Sequence, residues 1–303
     1  MDTKCGYVSI IGLPNAGKST LLNLLLGQKL SITTSKPQTT RKKILGILSE
    51  ENYQIIFQDT PGILNPEYLL QKKMLEFVQQ AVKDADVVLL LIDIADDPYG
   101  KKTFSDETVK EVINNKTWKK ILVINKIDIS DEPTVNGLIQ KYDKEGIFEK
   151  IIAISALHKF NSVSLLDTIL ELLPVHPKFY PEDYVSDAPE KFYVSEIIRE
   201  KIFEQYSEEI PYSTEVVIEE YKEQEGRKDV IYASIIVERE TQKPIIIGKR
   251  GDALKRLGTS ARMEIEEFLD RPVFLEIRVK VKEKWRSDPR MLKSFGYQAN
   301  DEE

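Results

Sequence analysis

Cysteine and histidine are nearly absent from these 303 residues: Cys5 stands alone, and His158 and His176 are the only imidazoles. A single thiol excludes an intrachain disulfide, which fits a reducing compartment. So few soft ligands also exclude a Cys/His zinc site. Long apolar runs are missing as well. The longest purely aliphatic one, Val87 to Ile92, is far shorter than the ~18 residues that span a bilayer. The chain opens without a basic-then-apolar leader and its first arginine is Arg41, so neither a signal peptide nor an Arg-rich transit peptide is expected. Internal repeats and low-complexity tracts are absent too. What remains is a chain with 41% hydrophobic and 31% charged residues. It is long enough for two buried cores at about 100–200 residues per domain, and a cytoplasmic location is expected.

The net charge of −7 is unevenly spread. Residues 1–175 are nearly neutral, with 21 Lys+Arg against 22 Asp+Glu, whereas residues 176–242 hold 8 against 17 and residues 243–293 hold 14 against 8. A basic block in an acidic protein marks either a polyanion contact or a solvated face. From Gly6 to Leu173 short aliphatic runs (Tyr7–Ile11, Tyr53–Phe57, Val87–Ile92, Ile121–Ile124, Ile151–Ile154) alternate with helix-like stretches (Lys18–Leu26, Tyr68–Val82, Thr108–Asn114, Ser164–Leu173). That alternation predicts a mostly parallel, doubly wound α/β sheet over residues 1–173. Pro174, Pro177, Pro181 and Pro189 then predict an extended linker over 174–189, whose Tyr180 and Tyr184 imply that it packs on something. A second domain is expected over 190–303, in the order α-β-β-α-α-β with a C-terminal tail. Its first helix carries Phe192, Val194, Ile197, Ile198 and Ile202 on one apolar face.

Gly12-Leu13-Pro14-Asn15-Ala16-Gly17-Lys18-Ser19 fits GxxxxGK(S/T) directly after a strand and at the start of a helix, with Thr20 following. Glycines let the backbone wrap phosphates, and its amides with the helix N-terminus bind the anion. Lys18 would reach the β- and γ-phosphates, and Ser19 would ligate Mg²⁺. Asp59-Thr60-Pro61-Gly62 matches DxxG: Asp59 would hold Mg²⁺ through water, and the Gly62 amide would sense the γ-phosphate. Asn125-Lys126-Ile127-Asp128 matches NKxD. Asp128 can accept from the N1–H and 2-amino groups of guanine, neither of which adenine offers. Ser155-Ala156-Leu157 matches the SAx loop that supports the base through backbone amides. Between the first two motifs, Lys36-Pro37-Gln38-Thr39-Thr40-Arg41 carries a threonine to complete the Mg²⁺ shell, Thr40 being preferred and Thr39 the alternative. Five elements in order at the C-terminal ends of successive strands define a guanine-nucleotide site, in which Lys18, Thr40 and Gly62 are the expected catalytic contributors.

One position departs from the common pattern. Where Ras-type enzymes carry a water-positioning glutamine, this chain has Ile63, which cannot orient a nucleophile although it borders the site. Asn15 offers a substitute. Its place in GxPNxGKS resembles GTPases that bind K⁺ beside the phosphates, and the other reading is a polar residue capping a turn.

In the second domain Ile247-Gly248-Lys249-Arg250-Gly251 is a GxxG loop preceded by aliphatics and followed by a helical run to about Phe268. This resembles a KH domain, whose loop packs on the backbone of about four single-stranded nucleotides. Taken with the PNAGKST loop, PQTTR, DTPG, NKID, the PEDY linker, SEIIREKIF, IGKRG and KEKWR, the chain resembles the Era family of ribosome-assembly GTPases over nearly its whole length. The resemblance implies an α/β P-loop GTPase domain plus a smaller α+β type II KH domain. It also implies GTP/GDP with Mg²⁺ as cofactors, the 3′ end of 16S ribosomal RNA and the small subunit as partners, and contact with the inner face of the membrane in part of the family. A monomer is expected. The competing function is an RNA-binding assembly chaperone that keeps guanine nucleotide as a structural ligand only.

Overall fold

Apolar side chains fill nearly every position of the inner strands of the first unit, as a sheet covered on both faces requires. β1 (Lys4–Gly12), β2 (Ile44–Glu50), β3 (Tyr53–Asp59), β4 (Val87–Asp93), β5 (Lys119–Asn125) and β6 (Lys150–Ala153) form one sheet in the order β2-β3-β1-β4-β5-β6. Neighbouring strands are parallel except β2 against β3. The connections carry α1 (Lys18–Leu26), α2 (Leu69–Lys83), α3 (Lys101–Ser105), α4 (Glu107–Asn114), α5 (Glu132–Glu145) and α6 (Ser162–Leu172). The structure is a computed structural model. It describes residues Thr3–Gln298, which fall into two compact units: one holds the chain up to Pro66 and Gln71–Asp187, the other Glu67–Leu70 and the chain from Ala188.

Three elements of this unit are additions to the expected pattern: β2, α3 and α5. β2 contains Gly46 and lies at the sheet edge, both of which dilute a strand signal. α5 is largely polar, so its limits are set by its ends. The Asp131 carboxylate accepts the Thr134 amide, a proline stands in the first turn, and Gly146 closes the helix at φ 61°.

Residues 174–187 lie along this unit as a strap. The Cys5 amide donates to the Pro174 carbonyl (3.1 Å) and the His176 amide to Thr3 (3.0 Å). Phe179 lies against Tyr7 and stacks on His176. The anchor is Gln54 on β3, 0% exposed. Its Oε1 accepts the Phe179 (2.8 Å) and Tyr180 (3.0 Å) amides, and its Nε2 donates to the Tyr180 carbonyl (2.8 Å). Further along, the Ile47 amide donates to Val185 (2.7 Å) and the Ser186 hydroxyl to the Leu45 carbonyl (2.6 Å), so the strap pairs with β2 as well.

The second unit contains α7 (Glu190–Gln205), β7 (Thr214–Lys222), β8 (Asp229–Val237), α8 (Gln242–Ile247), α9 (Asp252–Leu269), β9 (Val273–Val281) and α10 (Pro289–Ser294). β8 lies between β7, antiparallel, and β9, parallel. Its core joins Val194, Ile198 and Ile202 of α7 to Ile231 and Ile235 of β8 and to Leu257, Ala261 and Ile265, spaced four apart on α9.

α7 is not the one-faced helix expected. Glu196, Arg199 and Glu200 are also buried, with Phe192 only half-buried. The Arg199 guanidinium, 0% exposed, pairs bidentately with Glu196 and lies 5.7 Å from the Phe203 ring. Much of the expected tail is folded too. Trp285 is buried with its indole N–H on the Ser213 carbonyl (3.0 Å), and the Tyr297 hydroxyl meets the Glu215 carboxylate. The remainder of that tail, beyond Gln298, lies outside the described residues.

Candidate functional site

β1 delivers the chain to the phosphate loop at the C-terminal edge of the sheet, where α1 starts at once. The cap position of α1 is Gly17 at φ 94°, where an added Cβ would stand 2.3 Å from the Asn125 Nδ2 atom. Only glycine fits there, and having no side-chain acceptor it leaves the opening amides of the helix for an anion. Lys18 folds back over the loop, donating to the carbonyls of Gly12 (3.1 Å) and Leu13 (2.9 Å). Burial lowers its ammonium to about 8, against the opposing pull of Asp59. Asn15 is exposed at φ 64° and makes no side-chain hydrogen bond to the described residues, so the turn-capping reading finds no support. Ala16 is buried, and its carbonyl is taken by Asn125.

The Ser19 hydroxyl donates to Asp59 Oδ2 (2.7 Å) and meets the Thr40 hydroxyl at 2.9 Å. Thr39 points elsewhere, its hydroxyl donating to the Lys36 carbonyl (2.8 Å) and touching Thr34 (2.7 Å). Of the two alternatives Thr40 is therefore the one at this corner. Burial pushes the Asp59 carboxyl upward, opposed by its hydrogen bond from Ser19 and the charge of Lys18. Its Oδ1 is buried with no hydrogen-bond partner among the described residues. An orphaned carboxylate oxygen beside two hydroxyls fits a hard divalent cation, which takes oxygen ligands of this kind.

Gly62 passes so close to the phosphate loop that a Cβ would stand 2.7 Å from Pro14 Cα. The Thr60 hydroxyl is not turned to the nucleotide. It donates to the Ile10 carbonyl (2.8 Å), and both Thr60 and Pro61 are buried. Ile63 corrects the expectation that it borders the nucleotide. Its side chain is 1% exposed in the cluster with Val78, Val88 and Leu90, and its amide donates to the Gly12 carbonyl (3.0 Å). It ties the DxxG turn to the phosphate loop and presents nothing to a phosphate.

At the other end Asn125 staples three motifs. Its Nδ2 donates to Ala16 (2.8 Å), and its Oδ1 accepts the Ala156 amide (3.0 Å). Asn125 thus ties the phosphate loop to the SAx loop, a positioning role beside the contact with the base expected of it. Ser155 bridges to Phe160 and accepts the His158 amide (3.2 Å), closing the SAx loop, from which Leu157 protrudes 72% exposed. The Asp128 carboxylate lies 3.6 Å from His158 Nε2. A cleft of about 520 Å³ gathers the phosphate loop, Thr20, Thr40, Gly62 and Lys126, together with residues Ile32–Lys36. It also includes Asp93 and Asp96, which the motifs do not point to. The one signal for Asp93 is its place at the C-terminal end of β4.

In the second unit α8 and α9 meet at the GxxG loop. Gly248 (φ 74°, ψ 179°) sits in backbone space almost reserved for glycine, where a Cβ would stand 2.5 Å from the Ala253 Cβ. Gly251 has φ 84°, Ile247 is half-buried, and Lys249 and Arg250 are exposed at the tip. A narrow backbone ridge flanked by two cations is suited to a phosphodiester chain.

Fold and sites together define a P-loop GTPase joined to a KH domain. Residues 7–126 match the family described as "50S ribosome-binding GTPase", and residues 209–286 match the KH domain family. The chain belongs to the Era family of GTPases: over 97% of its length it is 45% identical to GTPase Era of a Geobacter species, 98% of which it covers. It is 44% identical to GTPase Era of Clostridium kluyveri, covering 99% of it. Against the chloroplastic GTPase ERA1 of Zea mays it is 45% identical, covering 70% of that longer chain. Among solved structures, an Aquifex aeolicus Era variant bound to GDP and AlF4− is 42% identical and superposes with a TM-score of 0.90, covering 98% of this chain and 100% of that one. An Era in complex with MgGDPNP and nucleotides 1506–1542 of 16S ribosomal RNA superposes equally well, at 0.90 and 42% identity over 98% of this chain. Among the described residues no helix is long and apolar enough to cross a membrane.

Proposed function

We propose that the protein is a GTP-hydrolysing switch that places its KH domain on the 3′ end region of 16S ribosomal RNA and so assists small-subunit assembly. The observation that carries this reading is the Ser19–Asp59–Thr40 corner. It joins the phosphate loop, the end of β3 and the segment between them through the groups suited to Mg²⁺. A nucleotide kept only as a structural ligand needs no such joint, which speaks against the assembly-chaperone alternative. Lys18 and the loop amides hold the phosphates, the Gly62 amide senses the third phosphate, and Asp128 selects guanine. Mg²⁺, when bound by Ser19, Thr40 and Asp59, neutralises charge on the phosphate oxygens. Ile247–Gly251 clamp the RNA, as the relative solved with 16S nucleotides supports. The same reading puts the protein in the cytoplasm, with the basic stretch 243–293 as its means of touching the inner face of the membrane.

The test is a four-sided titration of 16S 3′-end RNA and nucleotide. RNA affinity in the GTP-analogue state should exceed that in the GDP state by ~1–3 kcal/mol, with the reciprocal effect on nucleotide. Thr40→Ala should remove the difference and leave GDP binding nearly unchanged. Equal RNA affinity in both nucleotide states would defeat the switch.

The burial of Ile63 and the unpartnered Asn15 favour a cation as the missing catalytic charge. Replacing K⁺ by Na⁺ should slow GTP hydrolysis, and Asn15→Ala should abolish the difference. Equal rates of wild type in the two salts would rule K⁺ out.

A further inference from the structure

Lys126 stands in a left-handed backbone position, φ 66°, at the lip of the nucleotide cleft. Its Nζ reaches across to Asp93 Oδ2 at 2.6 Å. The pairing follows from the sheet: Asp93 ends β4 directly beside Asn125 on β5, and Lys126 is the next residue. Asp93 is itself held. Its Oδ1 accepts the amides of Ala95 (3.0 Å) and Asp96 (3.3 Å), which fixes the carboxylate before any ligand arrives. The neighbouring acids are committed elsewhere. Asp96 pairs with Lys102 at 2.8 Å, and Asp97 accepts the Thr103 amide and hydroxyl, each at 2.8 Å. The Asp93 side chain is 14% exposed and that of Lys126 34%.

We propose that Asp93 is a positioning residue for guanine nucleotide: by tying down the Lys126 ammonium it holds the aliphatic stem across the base pocket and so slows nucleotide release. The inference rests on the reading of Asn125–Asp128 as the guanine site. A lysine stem is an apolar surface with a charged end. Left loose it has much rotamer freedom to lose when it settles on a base. The ion pair removes that freedom in advance, which strengthens binding by preorganisation rather than by a new contact. The effect belongs to ground-state binding, because among the described residues neither Asp93 nor Lys126 bonds to Lys18 or Ser19.

Asp93 has two functions that one substitution separates. Asp93→Asn keeps an oxygen for the Ala95 and Asp96 amides and loses the partner of Lys126, whereas Asp93→Ala loses both. Release of a fluorescent GDP analogue, read by stopped flow, should be about 5-fold faster in Asp93→Asn, the scale of one partly exposed ion pair. KM for GTP should rise by more than kcat falls. Lys126→Met should have the same effect, and the double variant should be no worse than either single one. High salt should narrow the gap to wild type. Wild-type release from Asp93→Asn with fast release from Asp93→Ala would overturn the proposal and make Asp93 a turn cap only. Additive effects in the double variant would overturn it too. A failure of the guanine reading has a separate signature: Asp128→Asn would then keep its preference for GTP over xanthosine triphosphate.

Discussion

Lys18 is the residue whose surroundings constrain its chemistry most. Folding takes its ammonium out of water and lowers it to about 8, against about 10.4 in an unfolded chain. Between those two values the unfolded chain binds more protons, so the nucleotide-free protein gains stability as pH rises from 8 toward about 10.4. Polyphosphate reverses the balance, because an anion against Nζ holds the proton on. Nucleotide affinity should therefore fall above pH 8, the slope of log affinity tending to about −1 per pH unit. Lys18→Met should bind more weakly and show no such slope. Calorimetric titration from pH 7 to 10 in two buffers of different ionisation enthalpy would read both the affinity and the proton uptake. At the same scale the motifs were good guides where a side chain points into the cleft, as with Lys18, Ser19 and Thr40. They were poor guides where a motif residue holds another residue in place. Thr60, Ile63 and Asn125 serve the shape of the site through contacts with Ile10, Gly12, Ala16 and Ala156, and a string of residue types does not carry such contacts.

Elements were legible in proportion to how well their burial follows a simple period. β1, β3, β4 and β5 are aliphatic runs and α9 has its buried residues four apart, so they could be read directly. α7 could not, because the Glu196–Arg199 pair places charges in the interior, where a periodic reading assigns them to solvent. β2 was hidden because one of its two neighbours is the strap, more than 130 residues away in the chain. The joint between α8 and α9 is the element whose sequence and geometry agree most closely, and its two glycines differ in a testable way. Gly248→Ala meets the Ala253 Cβ and a forbidden backbone region together, while Gly251→Ala meets open space at φ 84°. Gly251→Ala should cost the KH unit ~1 kcal/mol, and Gly248→Ala should cost clearly more in urea unfolding. Gly248→Asp should lose RNA at physiological salt and leave GTP affinity intact. In wild type the RNA affinity should fall with salt by ~0.7 log units per tenfold for each phosphate neutralised. RNA binding retained by Gly248→Asp would make the loop a turn and nothing more.

At the scale of the whole molecule the strap changes what counts as the first domain. Residues 174–187 satisfy Gln54, which is wholly buried, and pair with the edge of β2. A chain ended at Leu173 would leave that amide with only the Ser49 hydroxyl and the weak Cys5 thiol as partners, at a cost of ~1–3 kcal/mol, and reopen an edge strand to association. It should unfold at lower temperature than a chain ended at Asp187 and sediment partly as aggregate. Equal melting of the two would mean that the strap is held by the domain without supporting it. Strapping also shortens the tether. Sixteen residues of extended linker would reach ~50 Å, but between Ser186 and α7 stand only Asp187, Ala188 and Pro189, which span at most ~10 Å. The connection from Ser186 to the second unit is thus three residues long, too short to act as the extended spacer that four prolines in sixteen residues would suggest.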